Sequence, residues 1–235
     1  MTLMTRTFAI VLCSCLLATA TYGQPRYQVD ASWPAALPNN WILGQVAGIA
    51  VDRQQHVWIV QRPRSLSASE AGAVQDPPLA ACCVPAPSVL EFDQQGRLVQ
   101  AWGGPIWQQD SQSWQLPDGD WPGNEHGIFV DDEGFVWLAG NGPEDSQIFK
   151  FRRDGSHVLT IGRPGGSGGS NDGTRLGRPA DMVVDGAARE VYVADGYGNR
   201  RLIVFDSDTG AYKRHWGAYG GQPDDLACVP GMARN

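Results

Sequence analysis

The sequence predicts an all-β chain, a β-propeller of about three four-stranded blades, and three observations carry that expectation. Strand-like runs alternate apolar and polar residues with period two, as in Val191, Val193, Ile203 and Phe205. Polar turns with Gly or Asp separate them at short, regular spacing. The pattern also repeats. GIAVDRQQHVWIV (48–60), GIFVDDEGFVWLA (127–139) and DMVVDGAAREVYVA (181–194) each read as strand, Asp turn, and strand with a central aromatic. SVLEFDQQGRLVQAWG (88–103), SQIFKFRRDGSHVLTIG (146–162) and RRLIVFDSDTGAYKRHWG (200–217) supply a third and fourth strand. Four short antiparallel strands per copy are the sequence signature of propeller blades.

In chain order, Arg6 precedes the apolar run FAIVLCSCLLATA (8–20), which ends in Ala18-Thr19-Ala20. That is the layout of a secretory signal over 1–20, too short to span a bilayer as a stable helix. A lipoprotein signal is the second reading, because Cys13 and Cys15 lie within the run. Secreted or periplasmic export is therefore expected, with no membrane span. Residues 21–41 read as an N-terminal extension, 42–217 as blades, and 218–235 as a tail or the start of a further blade. Asp52, Asp131 and Asp185 recur at one turn position, where a carboxylate caps backbone N–H groups. Residues 62–87 form a Pro/Ala/Ser-rich insertion, 104–125 carry Trp107, Trp114 and Trp121, and 163–178 are Gly/Ser-rich. Such loops gather on one face of a propeller, where function resides; the tryptophans read either as a ligand site or as cover for a core edge. Three blades do not close a ring, so either the chain is part of a longer protein or two chains complete one. Open sheet edges invite self-association.

The net charge is −7. Removing 1–20 leaves 17 basic and 25 acidic side chains, a net of −8, which argues against nucleic acid as a partner. Cys82, Cys83 and Cys228 remain, an odd number, and no C-x-x-C motif supports a cysteine metal site. At most one of the two adjacent cysteines can easily reach Cys228, so at least one thiol is left over or pairs between chains, and the pairing stays open. His56, His157 and His215 fall at turns or outer strands, where solvation is expected.

The segment DGYGNRRLIVF (195–205) poses a question that a hairpin does not answer: why a tyrosine stands between two glycines. With the three repeats, it resembles the NHL family of six-bladed propellers. VWIVQRP (57–63), NEHGIFVD (124–131) and DGYGNRR (195–201) more narrowly resemble its peptidyl-α-hydroxyglycine α-amidating lyase branch. That resemblance implies zinc held by inner-strand histidines, of which His126 matches one. It implies Tyr197 as base and Arg62 as assisting cation, and a structural calcium held partly by the carbonyls of Ile49 and Ile128. Zinc with an open position polarises a bound hydroxyl, and a tyrosine near a cation can take its proton. The family's other zinc histidines lie in later blades, and Ser146-Gln147 stands where a His-Gln is common. The bland readings are that His126 is a hydrogen-bonded channel residue, that Tyr197 packs on the rim, and that Arg62 pairs with an acidic loop. The expected function is an exported scaffold binding a small molecule or peptide; the rival is a zinc lyase releasing an amide and glyoxylate. An RNA-binding role, known in other NHL propellers, fits neither the export signal nor the acidity.

Overall fold

Ordered strands fill the chain from Trp41 to Trp216, and their pairing makes three separate antiparallel four-stranded sheets. The computed structural model describes residues 26–117 and 119–226. Residues 1–20 and Cys228 lie outside the described residues. The chain divides into Met1–Ala31 and Ser32–Asn235, and the blades belong to the second unit. Its strands are β1 (Trp41–Ile42), β2 (Gln45–Val51), β3 (Val57–Arg62), β4 (Val84–Pro85), β5 (Val89–Phe92), β6 (Leu98–Trp102), β7 (Ile106–Gln108), β8 (Ser113–Gln115), β9 (Glu125–Val130), β10 (Val136–Gly140), β11 (Gln147–Phe151), β12 (His157–Gly162), β13 (Asp181–Asp185), β14 (Glu190–Asp195), β15 (Arg201–Asp206) and β16 (Tyr212–Trp216). Blade 1 is β2-β3-β5-β6, blade 2 is β9-β10-β11-β12 and blade 3 is β13-β14-β15-β16. No helix among the described residues is long and apolar enough to cross a membrane.

The period-two pattern turns into blade packing. In blade 1, Trp58, Val60 and Val89 face blade 2 and cluster with Val136, Leu138, Phe149 and Phe151. Blade 2 turns its other face, with Trp137, Ala139 and Ile148, onto Val191, Val193, Ile203 and Phe205 of blade 3. Each strand therefore serves two interfaces, which its alternation requires. The innermost strands β2, β9 and β13 lie side by side. A Cβ on Gly48 would stand 2.7 Å from the His126 carbonyl oxygen, and one on Gly127 equally close to that of Ala180, so glycine is required there.

The recurrent aspartates do more than cap. Asp52 Oδ1 accepts the His56 N–H while Oδ2 accepts the Trp58 indole N–H at 3.0 Å. Asp131 repeats this with Phe135 and Trp137. In blade 3 Asp185 keeps only its turn bond, to Ala188, because Tyr192 replaces the tryptophan and donates to Glu190 instead.

The pairing that the cysteine count left open is Cys82 with its neighbour Cys83. Several expectations are corrected. His56 is not solvated: it meets Glu91, and Arg153 of blade 2 joins them together with Asp52, tying two blades. His215 is partly buried, and burial holds its pKa below the usual histidine range, with Arg201 adding to the effect. The three loop tryptophans do not form one cluster. Trp107 and Trp114 face each other across the β7–β8 hairpin, whereas Trp121 packs on Trp102 and Phe151. The chain around β1 also packs on blade 1: Trp33, Leu37, Trp41 and Leu43 cover Ile59, Leu90 and Phe92.

Candidate functional site

Arg62 ends the second strand of its blade, and Asn141 and Tyr197 follow theirs, so the propeller brings them to one face. Tyr197 sits in the turn after β14. That turn is held by Asp195, which is fully buried. Its carboxylate accepts the Gly177 N–H at 2.7 Å, the Asn199 side-chain amide at 2.7 Å and Arg201 Nε at 2.8 Å. Arg201 also donates to the carbonyls of Ser170, Asp172 and Arg175, which orders the Gly/Ser-rich loop. Arg200 reaches the carbonyls of Asp224 and Leu226. Gly198 is required because the Gly177 backbone presses on it, while Gly196 meets nothing within 4 Å.

The braced turn puts the Tyr197 hydroxyl 2.9 Å from His126 Nε2. The rings meet edge to face with centroids 5.1 Å apart. His126 Nδ1 lies 2.8 Å from the Ala180 carbonyl oxygen. A carbonyl only accepts, so Nδ1 carries the proton and Nε2 is left to accept the tyrosine O–H. The same arrangement orients a metal-ligating imidazole.

Arg62 ends β3 and donates through Nε to the Glu125 carbonyl at 2.7 Å, one residue before His126. A second guanidinium nitrogen lies 3.5 Å from Asn141 Oδ1, which also accepts from the Asn124 side chain at 2.6 Å. The sequence reading missed Arg178. Its backbone is in the left-handed region, φ 59°, a conformation that costs a non-glycine residue energy and concentrates at functional sites. It is held there by its N–H on the Asp145 carbonyl and its Nε on the Asn141 carbonyl. Its guanidinium stands 5.8 Å from the centre of the Tyr197 ring. Asp145, also missed, binds the backbone N–H groups of Gly123, Asn124 and Gly142 and so fixes both loops. Positive φ outside glycine and an Asp two residues before a strand carry no distinctive sequence signal.

Arg178, beside the Tyr197 ring, borders a cleft of about 540 Å³ that neither Tyr197 nor His126 lines. Arg62, Arg64 and Arg178 line it with Asn124 and Asn141, and no carboxylate does. Behind it the fully buried Glu125 accepts from Ser88 and Trp121 through Oε1; Oε2 has no hydrogen bond and lies 3.9 Å from Arg64. Ser146, where the resemblance puts a histidine, is buried and donates to the Arg163 carbonyl.

The donor set does not fit zinc. Among the described residues, the one group of three His, Cys, Asp or Glu side chains with ligand atoms within 4.8 Å of one another is Asp52, His56 and Glu91. It excludes His126, and the Arg153 guanidinium already lies among those three. His126 offers one nitrogen where a zinc site needs three protein ligands. Ile49 and Ile128, the residues after Gly48 and Gly127, occupy equivalent places on the adjacent inner strands β2 and β9.

No protein-family model matches the chain. NHL repeat-containing protein 3 of Mus musculus is 26% identical over 192 residues, which cover 78% of this chain and 44% of that protein. Peptidyl-glycine alpha-amidating monooxygenase of Mus musculus is 31% identical over 94 residues, 39% of this chain and 9% of that protein. The chain thus spans less than half the length of either. Among solved structures, virginiamycin B lyase from Staphylococcus aureus matches over 75% of this chain and 42% of its own at 14% identity, with a TM-score of 0.39.

Proposed function

The chain belongs to the NHL-type β-propellers, and from that premise we propose that it is an exported binding module for a small carboxylate-bearing ligand, such as a peptide C-terminus. One observation carries this reading: in a chain of net charge −7, three arginines and two asparagines line one cleft with no carboxylate in its lining, the buried Glu125 meeting Arg64 only from behind. Guanidinium forks match a carboxylate bidentately, and the asparagine amides add neutral donors. The ligand would lie beside Tyr197, whose proton is already directed to His126. Export rests on the signal-like residues 1–20, and N-terminal sequencing of secreted protein should begin near Thr21. Self-association through a blade would use the outer face of blade 3, since the first blade's outer face is covered.

Calorimetry with hippurate against hippuramide tests the binding reading. Hippurate should bind and its neutral amide should not, and Arg178→Ala or Arg62→Ala should remove the difference. Equal affinity for acid and amide would overturn it.

A second reading is favoured by the Tyr197–His126 pair and by the similarity to amidating monooxygenases: a lyase that splits a carbinolamide. With Tyr197 taking the hydroxyl proton and passing it to His126, the C–N bond breaks and the nitrogen recovers a proton. α-Hydroxyhippurate would then yield benzamide and glyoxylate. Zinc, which in the resembling family polarises that hydroxyl, needs ligands beyond those the described residues bring to His126. Glyoxylate release that survives Tyr197→Phe would exclude this role for the pair.

A further inference from the structure

A second cavity, of about 610 Å³, opens between the insertion of blade 1 and the β7–β8 hairpin. We propose that it is a binding site for a neutral, ring-bearing apolar small molecule, separate from the arginine cleft. Both walls lie outside the propeller repeat. Blade 1 joins its second and third strands through residues 63–88, whereas blades 2 and 3 use only 141–146 and 196–200. The blades do not require these walls, and they are nonetheless fixed. Trp107 Nε1 donates to the Val74 carbonyl at 2.9 Å and ties the hairpin to the insertion. Parallel pairing of β1 with β4 holds the floor, Trp41 opposite Val84.

The lining states the ligand's chemistry. No charged side chain contributes to it, and Gln115 brings the one side-chain amide. A charged ligand would be stripped of water without a counter-ion, and a polyhydroxylated one without enough partners, since the Trp107 N–H is already engaged. Trp41, Trp107 and Trp114 offer aromatic surface, the latter two with centroids 5.3 Å apart at 72°. Aromatic side chains reward a ring that meets them stacked or edge-on. Four prolines stiffen the walls, so the cavity is formed before the ligand arrives. Its volume lies within the range of small-molecule sites, roughly 300–1,000 Å³.

The test is titration of the full chain with the neutral fluorophore N-phenyl-1-naphthylamine, read by energy transfer from tryptophan. Saturable one-site binding is expected, unaffected by excess hippurate. Trp114→Ala should weaken it by about tenfold or more, the loss expected for one well-packed ring. Ile106 is 65% exposed at the rim, so Ile106→Asp leaves the fold intact while placing a charge at the mouth; it should weaken binding as strongly. Non-saturable binding, or an affinity unchanged in Ile106→Asp, would overturn the proposal.

Discussion

The two outward faces of the blade row solve the same problem differently. Every internal interface sets a tryptophan of one blade in the same core as a phenylalanine of the next: Trp58 with Phe151, Trp137 with Phe205. In the first blade Phe92 meets Trp33 of the N-terminal segment instead, the rings 5.7 Å apart. At the third blade the forward-facing residue is Tyr192. It joins Glu190 and Arg214 in a polar network laid over Val204, while Val183 and Leu202 stay exposed. The interface between blades 1 and 2 adds a charged latch, Glu91 with Arg153. At the equivalent place of the next interface Lys150 donates to the Ser207 carbonyl. One outward face is covered by apolar burial, and the other carries a charged network beside exposed apolar residues, so the two should fail under different conditions.

The largest effect is expected where blade 3 holds the loops. Arg201 and Asp195 are both fully buried, and Asp195→Ala leaves the guanidinium unpaired. Urea unfolding should show a loss of about 3–5 kcal/mol, and the Tyr197 turn should open with it.

Next, Trp33→Ala should cost about 2–4 kcal/mol by exposing the outer face of blade 1. Tyr192→Ala at the other end should cost less than about 1 kcal/mol. Equal losses would mean that the two ends are covered alike.

A smaller contrast tests the aspartate device. Trp58→Phe and Trp137→Phe each strip a buried carboxylate of an indole donor and should cost about 1–2 kcal/mol. Tyr192→Phe should be within about 0.5 kcal/mol of the parent, because its face is open.

The smallest effect is a pH difference in local opening. Arg214, then Tyr192, holds the Glu190 carboxyl well below the usual carboxylate range. The Thr174 hydroxyl, aided by the Thr174 N–H and Arg175, brings Asp172 down to about 2. A carboxylate with a lowered folded pKa stabilises above its unfolded value and loses that contribution as pH falls through the folded one. The window therefore runs downward from about pH 4. His215, favoured neutral, adds a loss as pH falls below about 6.5. Amide protection in β14–β16, taken relative to the intrinsic exchange rate at each pH, should fall on acidification before that of β3 and β5.

The blades were legible because their information is local. Each strand announces its two faces by alternation, and each Asp turn reports where a strand reverses. Tyr197 was legible as an anomaly, a side chain that its turn does not need. Arg178 and Asp145 were not, since an arginine in left-handed backbone and an aspartate binding three distant N–H groups look ordinary in one dimension. Nor was the Cys82–Cys83 bond, which counting cysteines did not favour.

By itself the sequence determined the repeat and the order of four strands within each blade, because hydrogen-bonded neighbours lie close along the chain. Only the tertiary structure decided what meets across blades. His126 and Tyr197 are 71 residues apart, and their 2.9 Å contact depends on the rotation between adjacent sheets. The same rotation gathers Arg62 and Arg178 on one cleft, and the path of an insertion outside the repeat closes Trp107 over Val74. Such distances follow from how whole blades pack, and no local pattern records that packing.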